Sequence, residues 1–85
     1  MEFFRTERFK KDFKHLPNEI QNKLPLILER FLTDWRHPSL GVKKMEGCEK
    51  IWELRITRNY RVTFQFSEGN ILLRRTGTHN ILRHP

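Results

Sequence analysis

Hydrophobic and polar positions change period along this chain, and the changes divide it into elements. Phe3 and Phe4 form a short apolar run that ends at Thr6, a residue suited to cap a helix, so residues 1–5 read as a strand. Phe9, Phe13 and Leu16 follow at spacings of four and three, one face of a helix with Arg8, Lys10, Lys11 and Lys14 largely outside it. Pro17 stops that helix and, with Asn18 as a cap, opens the next. The second helix carries the strongest periodic signal in the chain: Ile20, Leu24, Ile27, Leu28, Phe31, Leu32 and Trp35 step by three or four. Pro25 falls inside it. Proline lacks an amide donor and crowds the preceding turn, so the sequence predicts a kink between Gln21 and Pro25 in preference to a late helix start.

From Arg36 to Lys50 the periodicity disappears, and His37, Pro38, Ser39, Gly41 and Gly47 mark a loop. A loop of that length in so small a chain is more often functional than idle. Beyond it the period becomes two. Trp52, Leu54 and Ile56 alternate with Glu53, Arg55 and Thr57, and Tyr60, Val62, Phe64 and Phe66 alternate with Arg61, Thr63 and Gln65. Each strand offers an apolar face to the helices and a polar face away from them. Turns at Thr57-Arg58-Asn59 and at Ser67-Glu68-Gly69-Asn70 join the strands into an antiparallel meander. The last strand, from Ile71, has no clean apolar face. Two readings stay open for it: burial on both faces at its start, or a bulge near Arg74 that switches the register. Ile81 and Leu82 predict a final docked turn. The fold class is α+β, one domain over residues 1–85 in which a helical hairpin covers a meander.

Charge changes the picture next. Seventeen Lys and Arg against ten Asp and Glu give a formal charge of +7, which favours nucleic acid, an anionic membrane surface or an acidic protein partner. Residues 1–35 hold seven basic and six acidic side chains, whereas residues 36–85 hold ten and four, so the excess travels with the strands. The single cysteine, Cys48, cannot form an internal disulfide, and no apolar stretch approaches a membrane span or a signal peptide. The expectation is a cytoplasmic protein with no membrane partner. Four scattered histidines and one cysteine show no metal-ligand spacing, and no P-loop, dinucleotide fingerprint or Ser-His-Asp set is present, so neither metal nor cofactor is expected.

The candidate chemistry lies on the polar strand face, where Glu53, Arg55, Arg61, Arg75 and His79 could gather, with His37, Lys43 and Lys44 supplied by the loop. Taken singly, an exposed lysine or a strand arginine is ordinary solvated surface. Their shared parity is what makes them a candidate site. His15 and His84 have no such company, and Trp52 and Phe64 share the apolar faces and belong to the core. Arginine and histidine suit one reaction in particular. RNA is cut without metal when its 2′-hydroxyl attacks the adjacent phosphate, which needs a base, cations for the developing charge and an acid for the leaving 5′-oxygen. Arginine fits phosphate with a charged planar fork, and histidine exchanges protons near neutral pH.

The order of strand, helix pair, basic loop and strands carrying WELR, NYRV and RTGTH resembles the RelE/ParE superfamily of bacterial type II toxins over essentially the whole chain. The closing RTGTH is similar to the end of YafQ-type mRNA endonucleases, and NYRV to a strand found across RelE-like members. The resemblance implies a RelE-like fold and a ribosome-dependent mRNA endonuclease, in which Arg61 contacts the scissile phosphate and Arg75 and His79 match the YafQ-like arginine and histidine. It implies a second catalytic histidine at His37 and a basic position at Lys44; Glu53 and Arg55 have no secure family counterpart, and Glu53 is a candidate base or a holder of one of the arginines. The partners it implies are a cognate antitoxin and the ribosome with its mRNA. Two other functions remain open: a ParE-like inhibitor of DNA gyrase, and a basic binding module without catalysis.

Overall fold

The computed structural model describes every residue from Met1 to Pro85. Its strands are β1 (Phe3–Arg5), β2 (Lys43–Lys44), β3 (Trp52–Arg55), β4 (Tyr60–Ser67) and β5 (Asn70–Thr78), and its helices are α1 (Glu7–Lys14) and α2 (Asn18–Thr33). Short 3-10 turns occupy Pro38–Leu40 and His79–Arg83. The five strands form one sheet in the order β1-β5-β4-β3-β2. From β2 to β5 the neighbours are antiparallel, the expected meander, while β1 joins the far side of β5 in parallel, with Phe3 beside Ile71.

Both helices cover one face of this sheet. Phe9, Leu16, Ile20, Leu24 and Phe31 from the helices meet Leu54, Ile56, Val62, Phe64, Ile71 and Leu73 from the strands, and Leu40 of the first 3-10 turn closes the same core. Phe31 is its centre: its ring meets Phe64 edge-on with centroids 5.2 Å apart, an arrangement that adds to the area term. Burying each such side chain contributes about 1.5–3 kcal/mol. Trp52 and Phe64 lie on the apolar side, as their parity predicts, with Trp35 edge-on to Trp52.

Local hydrogen bonds explain where the helices begin and end. Thr6 caps α1, its hydroxyl oxygen accepting from the Phe9 N–H at 3.0 Å. The same hydroxyl donates to the Arg74 carbonyl at 2.7 Å, tying the helix start to β5. Pro17, not Asn18, is the cap residue of α2, and it makes no side-chain capping bond. The side chain of Gln21 instead donates to the carbonyls of Phe13 and Leu16, serving groups that the end of α1 leaves open.

One expectation is corrected, and two choices between readings are decided: α2 makes no late start at Pro25, and β5 carries a bulge. The helix α2 runs from Asn18 through Pro25 to Thr33 as one element; Pro25 is exposed, so water can serve the carbonyl of Gln21 that the missing amide frees. The segment Arg36 to Lys50 is not loop throughout, because Lys43 and Lys44 pair with Glu53 and Trp52 to form β2. A two-residue edge strand of lysines is also poorly suited to pairing with another chain. For β5 the bulge is the outcome of the two open readings: Thr63 pairs with Arg75 and Phe64 with Leu73, leaving Arg74 unpaired. The extra residue lets Ile71 and Leu73 face the core and then turns Thr76 inward, so that Arg75 and Gly77 stand opposite Thr63 and Arg61 on the outer face.

Candidate functional site

On the outer face of β3 and β4, Lys43, Glu53, Arg55 and Arg61 line an open cleft with Gly41. At about 220 Å³ it lies below the roughly 300 Å³ where small-molecule pockets begin, and no apolar side chain lines it. The cleft is therefore shaped for a charged group more than for a metabolite.

The pairing of the strands creates its electrostatics. Arg55 and Arg61 are direct cross-strand partners, an arrangement that like charges disfavour. Glu53, two residues from Arg55 on the same face, sets its carboxylate 3.8 Å from the Arg61 Nε, with both side chains about nine-tenths buried. Lys43 stands opposite Glu53 on the other side. The cleft thus holds three cations and one carboxylate, of which Arg61 alone comes within ion-pair distance of Glu53.

Each arginine is held. The Arg61 Nη1 donates to the carbonyls of Thr57, Arg58 and Tyr60 at 2.7, 2.9 and 3.1 Å, so the turn between β3 and β4 is itself the socket for its guanidinium. Arg55 donates to the Pro38 carbonyl at 3.4 Å and lies across Gly41. Gly41 has a φ of +55°, which favours glycine, and a Cβ there would stand 2.9 Å from the Arg55 Nη2 and so displace the guanidinium from its place.

The remaining sequence candidates are placed elsewhere. Lys44 neighbours Lys43 and, by strand alternation, points to the opposite face, where it borders a depression with Met45 and Cys48. His37 caps the first 3-10 turn: its Nδ1 lies 2.8 Å from the Ser39 hydroxyl and its Nε2 3.2 Å from the Arg30 Nη1, in a groove beside the end of α2. Arg75 is engaged by Asp12 of α1, Nε to Oδ2 at 3.0 Å and Nη2 to Oδ1 at 3.1 Å. His79 is exposed and opens the second 3-10 turn. It follows Thr78, the partner of Tyr60, and so sits at the end of the sheet where the turn holds Arg61. The structure brings together Lys43, Glu53, Arg55 and Arg61, sets His79 at the adjoining end, and does not bring Arg75, His37 or Lys44 into the cleft.

Sequence reasoning missed the roles of Asp12 and Gly41, while the docked turn expected at Ile81 and Leu82 is present as the 3-10 turn His79–Arg83. Asp12 was detectable as an acid amid the basic residues that follow Phe9 in α1, three positions after Phe9 and four before Leu16, hence at the edge of the buried face. Gly77 gave a subtler sign: a Cβ there would lie 2.9 Å from the Ile81 Cγ2, so the glycine of RTGTH lets the second 3-10 turn fold down onto β5. No three His, Cys, Asp or Glu side chains converge to hold a metal ion.

No family model matches the chain. It is 31% identical over 75 residues to Toxin RelE3 of Methanocaldococcus jannaschii, covering 82% of this chain and 81% of that protein. Its fold matches the toxin in the RelB-RelE antitoxin-toxin complex from Methanococcus jannaschii, with a TM-score of 0.76, 24% identity and 95% of each chain covered. It also matches YafQ from Escherichia coli in its complex with DinJ, with a TM-score of 0.77, 15% identity, and 94% and 93% of the two chains covered. On the extent and identity of the first of these matches, the chain belongs to the RelE family of type II toxins.

Proposed function

We propose that this toxin cuts mRNA on the ribosome, without a metal ion, by attack of a 2′-hydroxyl on the adjacent phosphate. The observation that carries the reading is the facing pair Arg55 and Arg61, two guanidinium groups held by backbone carbonyls with a single carboxylate, that of Glu53, beside Arg61. Such a pair is relieved by a dianionic or spreading negative charge, which is what a phosphate develops as the 2′-oxygen bonds to phosphorus and the bond to the 5′-oxygen breaks. Arg61, rigid in its turn, is the phosphate clamp; Arg55 and Lys43 extend the positive surface along the RNA backbone. His79 is the group that exchanges a proton with the reacting RNA, being exposed at the same end of the sheet. Glu53 holds Arg61 in position. The toxin's partners are then the ribosome with mRNA in its decoding site, which places its action in the cytoplasm, and a cognate antitoxin that silences it by covering the basic face with a helix or strand. No helix is long and apolar enough to cross a membrane.

Induced expression of wild type, Arg61→Ala and His79→Ala, with mapping of mRNA 5′ ends on translating ribosomes, tests the reading. Wild type should arrest growth and leave new 5′ ends within translated codons, and both variants should lose them. Growth arrest that all three share, with transcripts intact and gyrase trapped on DNA, would sink it.

A further inference from the structure

All three guanidinium nitrogens of Arg75 are engaged within the protein. Its Nε and Nη2 are bound by the two oxygens of Asp12, and its Nη1 donates to the His84 carbonyl at 3.3 Å. The Asp12 carboxylate also accepts from the Thr76 N–H at 3.3 Å, on the edge of β5 beyond the end of β1. Both side chains are largely buried, at 17% and 13% exposure, so the bidentate pair is screened little by water. One ion pair therefore joins α1, β5 and the segment that follows it. That segment is gripped at a second place, where the Thr63 hydroxyl and the Arg74 Nε both donate to the Pro85 carbonyl. Between the two grips and the β5 end lies the 3-10 turn His79–Arg83, seated on Gly77 through Ile81.

We infer that Asp12 is a positioning residue for the reaction and that Arg75 acts through it: the pair fixes the segment His79–Pro85 and thereby the proton-transfer group His79, while phosphate is met by Arg61 and Arg55. The inference rests on the proposed RNA cleavage for its kinetic arm only. Asp12 lies on a helix at the sheet edge, outside the cleft, and a purely remote structural residue would alter stability without altering turnover.

The test compares wild type with Asp12→Asn, Arg75→Lys, Arg75→Gln and the double variant Asp12→Asn/Arg75→Gln. Each single variant should lower kcat for ribosome-bound mRNA between about tenfold and a hundredfold, the scale of a misplaced catalytic group, with KM within about twofold. The double variant should be no worse than the poorer single, because both act on one contact. Hydrogen exchange gives a readout that needs no activity: the His84 amide, bonded to the Ile81 carbonyl at 3.0 Å, should be protected in wild type and lose protection in the Asp12→Asn and Arg75→Gln proteins. Wild-type turnover in Asp12→Asn or Arg75→Lys, additive losses in the double variant, or unchanged protection at His84 would each overturn the inference. Arg75→Lys separates the two roles, since lysine keeps a charge for phosphate and loses the planar fork that matches Asp12. Should Asp12→Asn not fold, the two Arg75 variants carry the same comparison. If wild type cuts no RNA at all, the proposed function fails, and the exchange result alone decides the inference.

Discussion

Among single residues, Glu53 carries the most consequence. Its carboxylate is about nine-tenths buried, makes its ion pair with Arg61 at 3.8 Å, and stands where two arginines and a lysine would otherwise repel. Glu53→Gln should destabilise the protein by roughly 1–3 kcal/mol in urea unfolding, because a nearly buried guanidinium loses its only counter-charge. Sulfate should restore part of that loss by taking the place of the carboxylate, and the wild type should gain less from it. Equal stabilisation of both proteins by sulfate would show that the cleft seats no anion. The facing of Arg55 and Arg61 was legible in the sequence, since alternation around a short turn puts both on the polar face. The capture of Arg75 by Asp12 was not: strand parity gives the face on which a side chain starts, and a six-atom arginine stem can carry its charge round the sheet edge to a residue 63 positions away.

At the level of elements, α2 shows how a local rule yields to packing. Ile20, Leu24 and Phe31 are buried on both sides of Pro25, so a continuous apolar face anchors the helix across the missing hydrogen bond. Proline still carries its intrinsic penalty, about 3 kcal/mol relative to alanine, less about 0.4–1 kcal/mol for the stiffer unfolded chain. Pro25→Ala should therefore stabilise the domain by about 2 kcal/mol, read as a higher urea midpoint with the slope unchanged; a lower midpoint would mean that Pro25 is set in a bend on which the core depends. The helices and the two alternating strands could be read from period alone because each has one clean apolar face. The bulge in β5 could be read only as one of two options, for its placement is decided by long-range bonds: the Thr6 hydroxyl holding the Arg74 carbonyl, and Arg74 reaching Gln65 and Pro85. The strand β2 escaped notice because two lysines carry no period, and only Glu53 and Trp52 across the gap give them one.

For the molecule as a whole, the proposed function has the net charge of +7 meet RNA before any base is reached. The cations divide by location. Lys43, Arg55 and Arg61 are gathered at the cleft, whereas Arg8, Lys11 and Lys14 stand on α1, against the opposite edge of the sheet. Each phosphate neutralised on a single strand lowers the logarithm of affinity by about 0.7 per decade of salt, so a strand seated only in the cleft should give a slope of about −2. Between 50 and 200 mM salt, binding of a short oligonucleotide with a 2′-deoxy residue at the cut position should then weaken roughly twentyfold by fluorescence anisotropy. Arg61→Ala should flatten the slope by about 0.7, and a triple replacement of Arg8, Lys11 and Lys14 by alanine should leave it unchanged. A slope near −4 that the triple replacement halves would move part of the RNA track onto α1, and a slope near zero would remove phosphate from the cleft altogether. The absolute affinity cannot make this distinction, since long-range attraction by the total charge raises it wherever the strand is seated, whereas the slope counts the phosphates that have given up their counterions.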